Sequence, residues 1–365
     1  MALSIVLGAL LKKQKLAYAW LMGFALVVVA AIRSYTVGVD TLQYWNAFNI
    51  INAFSVDANY NRDLEIGFQY LCLLLGHICS SPQVLLIATS VFGIGSIIYF
   101  LYKNSSNFPL AIYLFISLNY YSFCMSGMRQ MLAIAIIVIG IEACLKKQHT
   151  IYYLLIVLVA SLFHTSALLM MVLPLFSRVR VRPRSIVFAL LLAVVAMLFA
   201  DQVFKIANSF LPYGAYEGTE YSTANYFGAI FQMLVDLMIL IFSFLCYSTD
   251  RNSSILMFSE KNFVNEKKAA LVKANGALSI PFLLVCSGVA VICSFLSIKM
   301  GIFSRVEYYF KLFSILGLTN AVVEGNRKLQ TLTIILTVGM SFAYWIVVAL
   351  YRPEWYGVVP YELFI

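Results

Sequence analysis

Residues 128–147 read MRQMLAIAIIVIGIEACLKK, an apolar run with Arg129 and Gln130 at its start and two lysines at its end. A run of about 20 apolar residues predicts a helix that crosses a lipid bilayer. Polar side chains are uncommon in such a run, because an ionisable group at membrane depth is costly unless it is paired. Arg129 and Gln130 therefore indicate a cavity or a site at one end of this helix.

The composition of the whole chain indicates a membrane protein. Hydrophobic residues make up 62% of the 365 positions and charged residues 11%, and the mean hydropathy is +0.89. A soluble fold cannot cover that much apolar surface with one core. Backbone groups in lipid must be hydrogen-bonded within their own segment. We therefore predict an all-α fold, a polytopic membrane helix bundle.

We predict about 11 spanning helices of the length that a bilayer requires. Two of them are the short arms of a hairpin at 150–177, where His164, Thr165 and Ser166 interrupt the apolar run. The alternative is one tilted helix through 150–177, which would invert the orientation of everything downstream. The other predicted spans are 16–32, 84–102, 108–123, 130–145, 185–200, 227–247, 279–298, 306–322 and 329–350.

The basic residues predict the orientation. Clusters at Lys12–Lys15, Lys146–Lys147 and Arg178–Arg184 should stay in the cytoplasm by the positive-inside rule. Counting helices from these clusters places the loops 33–63 and 201–226 outside and the basic segment 248–278 inside. It also leaves 64–80 as a non-spanning helix on the outer side. We predict a single integral membrane domain over residues 1–365.

Neither a metal nor a cofactor is predicted. The seven cysteines lie in apolar stretches without a CxxC pair, and the histidines at 77, 149 and 164 are far apart in sequence. The chain has no glycine-rich nucleotide loop. Nothing in it is typical of a nucleic-acid-binding protein.

The predicted topology places a set of polar residues on the extracytoplasmic side. Arginine is notable there, because a guanidinium binds phosphate oxygens through two N–H groups and keeps its charge. For any single member the alternative is a residue that merely reaches the lipid headgroups. The set comprises Asp40, Tyr44, Arg62, Asp63, Glu65, Arg129, Gln130, His164, Glu217, Glu220, Arg305, Glu307, Tyr308, Arg352 and Tyr361. Lys311 lies one turn after Glu307 and is expected to pair with it.

Two motifs resemble the EpsG family of bacterial polysaccharide polymerases, which is related to the Wzy O-antigen polymerases. They are Ser126-Gly127-Met128-Arg129-Gln130-Met131-Leu132-Ala133 and Ala160-Ser161-Leu162-Phe163-His164-Thr165-Ser166-Ala167-Leu168, separated by Lys146-Lys147 and followed by Leu173-Pro174. Weaker similarity extends through Asp40 to Tyr44, Glu65-Ile66-Gly67-Phe68, Ser304-Arg305 to Tyr308, and Pro360-Tyr361.

The resemblance implies a metal-independent membrane glycosyltransferase in the bacterial cytoplasmic membrane. It would join oligosaccharide units carried on undecaprenyl pyrophosphate. The implied partners are this lipid-linked oligosaccharide, membrane lipids and a chain-length regulator protein.

We assign candidate roles by residue chemistry. Arg129 and Arg305 would hold the leaving pyrophosphate. His164, Glu65 or Asp40 would accept the proton of the acceptor hydroxyl. The predicted substrate-binding residues are Gln130, Tyr44, Arg62, Tyr308, Glu217 and Arg352.

Three other functions stay open at this point. A transporter or flippase would carry charged residues along a central path open to both sides, whereas the predicted topology gathers them on one side. A membrane acyltransferase acting on glycans would use His164 as a base, but no His-Asp pair at a suitable spacing supports it. An O-antigen ligase performs similar chemistry and usually carries a longer outer loop.

Overall fold

The fold is helical. The structure, a computed structural model, describes residues 1–11, 14–54, 64–177, 226–250 and 276–364, together with positions 195, 197, 198, 202 and 271. Within this part of the chain an antiparallel bridge joins Arg33 to Leu363. The chain divides into two compact units, one formed by Met1–Met171 with Ile335–Ile365 and the other by Val172–Ile334.

The first unit contains most of the helices. In chain order they are α1 (Ala2–Leu10), α2 (Lys15–Ala31), α3 (Thr41–Phe54), α4 (Ile66–Ile78), α5 (Gln83–Thr89), α6 (Gly95–Asn104), α7 (Phe108–Ser117), α8 (Tyr120–Ser126), α9 (Met128–Ala143) and α10 (Thr150–Ser161). A π-helical turn, Ser90–Ile94, joins α5 to α6, so that Gln83–Asn104 forms one span of 22 residues.

The predicted span 108–123 is broken. It starts as the sequence indicates, with Asn107 accepting a hydrogen bond from the Leu110 amide and a proline in the first turn. Asn119 then takes a left-handed conformation, with φ of 59°. α7 and α8 consequently meet at an angle of 57°. A second break at Gly127 separates α8 from α9.

The predicted break at His164 is present. α10 ends at Ser161, and a 3-10 segment, Thr165–Val172, begins directly after His164. The short helix α11 (Leu173–Phe176) follows. Residues 162–164 therefore interrupt the helical backbone at the position where the sequence places its polar residues.

The second unit packs three longer helices together: α12 (Tyr226–Asp250), α13 (Ile280–Ser297) and α14 (Ile302–Glu324). α14 is enclosed, and its residues from 309 to 322 are all buried. The predicted pair is confirmed, because the Lys311 ammonium lies 3.1 Å from the Glu307 carboxylate with both side chains buried.

The last long helix, α15 (Gln330–Tyr351), is mostly exposed along its apolar length, as a lipid-facing helix should be.

The predicted count of about 11 spans is not confirmed. In the described ranges five helices are long and apolar enough to cross a membrane, or six if α7 and α8 form one bent span. α2, α4 and α10 are apolar but shorter. α14 is absent from the candidates, and it carries Arg305, Glu307, Lys311 and Glu324.

The loop expected at 33–63 contains α3, whose buried residues recur at helical spacing from Thr41 to Ile51. α4 is a 13-residue helix at the position predicted for the non-spanning one. The predicted span 185–200 and most of the loops 201–226 and 248–278 lie outside the described residues.

The segment 356–364 packs against the turn between α2 and α3. The amides of Ser34 and Phe364 bind the carbonyls of Glu362 and Ile32, each at 2.9 Å. Nearer to α3, the Gly38 amide donates to the Gly357 carbonyl at 2.7 Å. These contacts give backbone groups of the turn their hydrogen-bond partners.

Candidate functional site

Glu65 is the centre of the candidate site, which lies within the first unit. One carboxylate oxygen, Oε2, is 2.5 Å from Arg129 Nη1. The other, Oε1, accepts from His164 Nδ1 at 3.0 Å and from the Thr165 amide at 3.1 Å. Glu65 is buried, while the side chains of Arg129 and His164 remain 14% and 15% exposed. One carboxylate thus holds an arginine and a histidine that both reach the surface.

Arg129 is placed by the break at Gly127. It lies in the first turn of α9, where the chain leaves α8. Tyr44 of α3 supports it from another side. The Arg129 Nε donates to the Tyr44 hydroxyl at 3.5 Å, and the guanidinium carbon lies 5.5 Å from the Tyr44 ring centroid. Contacts with Glu65 and Tyr44 therefore hold the Arg129 guanidinium in place from two sides.

His164 reaches Glu65 because α4 approaches the break after α10 very closely. The Gly67 amide donates to the Leu162 carbonyl at 2.8 Å. A Cβ at position 67 would lie only 2.7 Å from the same oxygen, which is closer than real side chains come. Glycine is required here by this backbone contact, and it brings the preceding Glu65 beside His164.

The charge of Glu65 follows from its neighbours. Glu65 precedes α4, which is not one of the candidate spans. Burial by itself raises the pKa of the Glu65 carboxyl, but the hydrogen bond from His164 and the charge of Arg129 outweigh burial and lower the pKa to about 2. Glu65 is therefore ionised at neutral pH, and as a carboxylate it can only accept hydrogen bonds.

This ionised acceptor fixes the state of the histidine. Since Glu65 Oε1 accepts from Nδ1 of His164, that nitrogen carries the hydrogen. The opposite nitrogen, Nε2, is then the one with a free electron pair when the ring is neutral. A carboxylate that orients an imidazole in this way is the usual support of a histidine general base.

The other predicted site residues are placed as follows. Asp40 is half-buried directly before α3, and its carbonyl accepts from the Tyr44 amide at 3.2 Å. Gln130 follows Arg129 on α9 and is buried. Arg352 makes an exposed ion pair with Glu354 of 3.6 Å. Of the remaining four, Arg305 and Tyr308 belong to α14 of the second unit, and Arg62 and Glu217 lie outside the described residues.

Sequence reasoning missed two features of the site. The Thr165 amide binds Glu65 as a backbone group, and the helix break at 162–164 is the signal that could have indicated it. The sequence offers Glu65 and His164 as alternative proton acceptors, whereas the geometry makes them partners. Among the described residues no group of three histidine, cysteine, aspartate or glutamate side chains is arranged to hold a metal ion.

Comparison with known proteins gives one match. The model of the EpsG family matches residues 16–363, which is nearly the whole chain and includes all residues of the site. No curated protein and no solved structure matches the chain. With its several apolar helices, this chain is a multi-pass membrane protein. The chain belongs to the EpsG family, a family of Wzy-like polymerases.

Proposed function

We propose that this protein joins oligosaccharide repeat units carried on undecaprenyl pyrophosphate, on the extracytoplasmic face of the bacterial cytoplasmic membrane. The observation that carries this proposal is the joint binding of Arg129 and His164 by the Glu65 carboxylate. Such an arrangement attaches a proton acceptor and a fixed positive charge to the two oxygens of one carboxylate. In glycosyl transfer from a pyrophosphate donor, the proton acceptor takes the proton of the attacking hydroxyl and the positive charge stabilises the leaving pyrophosphate.

In the proposed reaction the hydroxyl of the acceptor glycan attacks the anomeric carbon of the donor glycan. The bond from that carbon to the pyrophosphate oxygen breaks, and its electron pair leaves with the lipid-linked pyrophosphate. His164 Nε2 takes the hydroxyl proton. Glu65 keeps Nδ1 protonated and stabilises the imidazolium that forms.

The charges of the cluster change in the direction that this reaction requires. In the proposed reaction His164 starts neutral, and the charges of ionised Glu65 and Arg129 cancel. After His164 takes the proton, the cluster carries one net positive charge. That charge appears at the moment when negative charge builds on the leaving pyrophosphate, and the Arg129 guanidinium is already fixed in place to meet it.

The test is polymer synthesis by purified protein from lipid-linked repeat units. Arg129→Lys keeps the charge but loses the planar, two-pronged donor. We expect the rate of chain growth to fall by about two orders of magnitude, the typical effect of losing one charge-stabilising donor. The matched control is Arg327→Lys, since Arg327 is exposed in the turn before α15. Normal polymer from Arg129→Lys would remove Arg129 from the site. Repeat units that cross the membrane without being joined would indicate a flippase.

The proposed orientation has a separate test. A cysteine is introduced in place of Ser81, which precedes α5, or in place of Lys147, which follows α9. Each variant is labelled with a membrane-impermeant thiol reagent in intact cells. Cys79 is exposed and must first be replaced by serine. We expect labelling at position 81 and none at position 147. The reverse pattern would contradict an extracytoplasmic site.

A further inference from the structure

Arg33 is a fully buried arginine beside the candidate site. Its side chain is 1% exposed, and no carboxylate pairs with it among the described residues. Burying an isolated charge costs a large free energy, so the groups around Arg33 must stabilise its guanidinium. In the described part of the chain its Nε has no hydrogen-bond partner.

The neighbours of Arg33 are carbonyl groups at two helix ends. Nη1 donates to the Ala30 carbonyl, in the last turn of α2, and lies 3.4 Å from the Ser90 hydroxyl. Nη2 donates to the Met125 carbonyl, in the last turn of α8, at 3.2 Å. The C-terminal ends of helices carry partial negative charge. These two ends therefore replace the carboxylate that is absent.

The same guanidinium contacts both sides of the break between α8 and α9. Nη2 reaches the Met125 carbonyl before the break and the Met128 sulfur after it, at 3.2 and 3.3 Å. Arg129 is the next residue. The Thr41 hydroxyl lies 3.3 Å from the same Met125 carbonyl, and Thr41 starts the helix that carries Tyr44, the other support of Arg129.

Arg33 is itself held rigidly. Its carbonyl accepts from the Gln83 side chain at 3.2 Å, and its backbone is bridged to Leu363. A residue whose backbone and side chain are both held in place can fix the positions of the groups that it contacts.

We infer that Arg33 is a positioning residue for Arg129, which sets the geometry of the Ser126–Gly127 break and thereby the direction in which the Arg129 side chain leaves α9. This inference rests on the proposed function. It assigns Arg33 a role in catalysis without contact with the substrate.

The test is a double-mutant comparison that measures turnover in a single glycosyl transfer with radiolabelled lipid-linked substrate. Arg33→Lys keeps a charge but cannot reach all four acceptors. With Arg129 present we expect it to lower turnover by about one to two orders of magnitude, because a displacement of about 1 Å at a catalytic group has effects of that size. In the Arg129→Lys background we expect Arg33→Lys to change turnover by less than about twofold, because the group that it positions is already lost.

A merely structural role would give the same loss in both backgrounds, and that result would overturn the inference. If Arg33→Lys does not accumulate in the membrane, Thr41→Val decides in its place, because it removes the second donor to the Met125 carbonyl together with the hydrogen bond of the same hydroxyl to the Val37 carbonyl. The expected pattern is the same, with a smaller loss. Arg327→Lys is the control for expression and assay. An active Arg33→Lys beside an inactive Arg129→Lys would refute this inference alone, whereas a wild-type protein that makes no polymer would refute the proposed function.

Discussion

The Glu65 carboxylate and the His164 imidazole are 3.0 Å apart, although the two residues are 99 positions apart in the chain. The contact gives the histidine one defined tautomer and leaves Nε2 as its proton acceptor. It also joins a residue that precedes α4 to a break that follows α10.

His164→Ala should abolish polymer formation while the protein still inserts and binds lipid-linked substrate. Losing a general base typically lowers the rate by about 10²- to 10⁴-fold. His77→Gln is the control, because His77 is exposed and its Nδ1 contacts the Leu73 carbonyl of its own helix. His164→Gln separates the alternatives, since glutamine can fill the space but cannot take the proton. Activity retained by His164→Gln would mean that His164 only packs the turn.

Gly67→Ala should reduce activity strongly, because its new methyl group would meet the Leu162 carbonyl and move Glu65 away from His164. The control is Gly95→Ala, a helical position with no atom near the added Cβ. There the change should be neutral or slightly stabilising, since alanine favours a helix by about 1 kcal/mol over glycine. Polymer length and thermal unfolding are measured for both variants. Equal activity of the two would show that the close approach is not needed.

Acid should destabilise the protein through Glu65. The pKa of this carboxyl is lowered by folding from its ordinary value of 4.5 to about 2. The stability that its ionised form contributes is therefore complete above about pH 4.5 and is lost as the pH falls from 4.5 towards 2. Glu65→Gln removes this contribution. Its unfolding temperature in detergent should fall less steeply with pH over that window than that of the wild type. Parallel curves would exclude the assigned charge state.

Lys311→Met should destabilise the second unit by about 3 kcal/mol or more, because it leaves Glu307 buried without its cation. Changing both residues, to Glu307→Gln with Lys311→Met, should recover most of the loss. The exposed pair of Arg352 and Glu354 is the control, and Glu354→Gln should have little effect. Thermal unfolding measures these three variants and Glu307→Gln alone. An additive double variant would show that the two side chains do not depend on each other.

Polymer synthesis should survive chelation by EDTA. In the proposed mechanism the guanidinium of Arg129 provides the charge stabilisation that divalent ions provide in other glycosyl transfers. The assay compares purified protein before and after chelation, with and without added magnesium or manganese. A strict requirement for either ion would contradict the proposed mechanism.

The parts of the fold that depend on apolar length were predictable from sequence. The span at Met128–Lys147 and the break at His164 follow directly from the distribution of polar residues. The sequence does not reveal α3, because a segment between two predicted spans is treated as a loop. At 14 residues, α3 is also too short to be predicted as a span. Glu307, Lys311 and Asn320 of α14 are buried within the protein, so a prediction based on lipid contact alone describes that helix poorly.

The site was predictable by residue type and less so by pairing. Arg129, Glu65 and His164 all stand out in the sequence, because each is polar and lies next to an apolar run. Their pairing depends on the close backbone contact at Gly67, which no periodicity reveals. Arg33 was missed since an arginine at the end of an apolar segment usually extends to the lipid headgroups, and only the structure shows it turned inward onto two helix ends.

The packing of segment 356–364 against the turn after α2 has a consequence for biosynthesis. The Thr36 hydroxyl donates to the Glu362 carboxylate across 326 positions of sequence. Ribosomes add about 5 to 20 residues per second, so the turn is translated roughly 16 to 65 s before its partner exists. During that interval Arg33 lacks the strand bridge that will hold it. The bridge between Arg33 and Leu363 must therefore form late in the maturation of the first unit, after segment 356–364 has been translated.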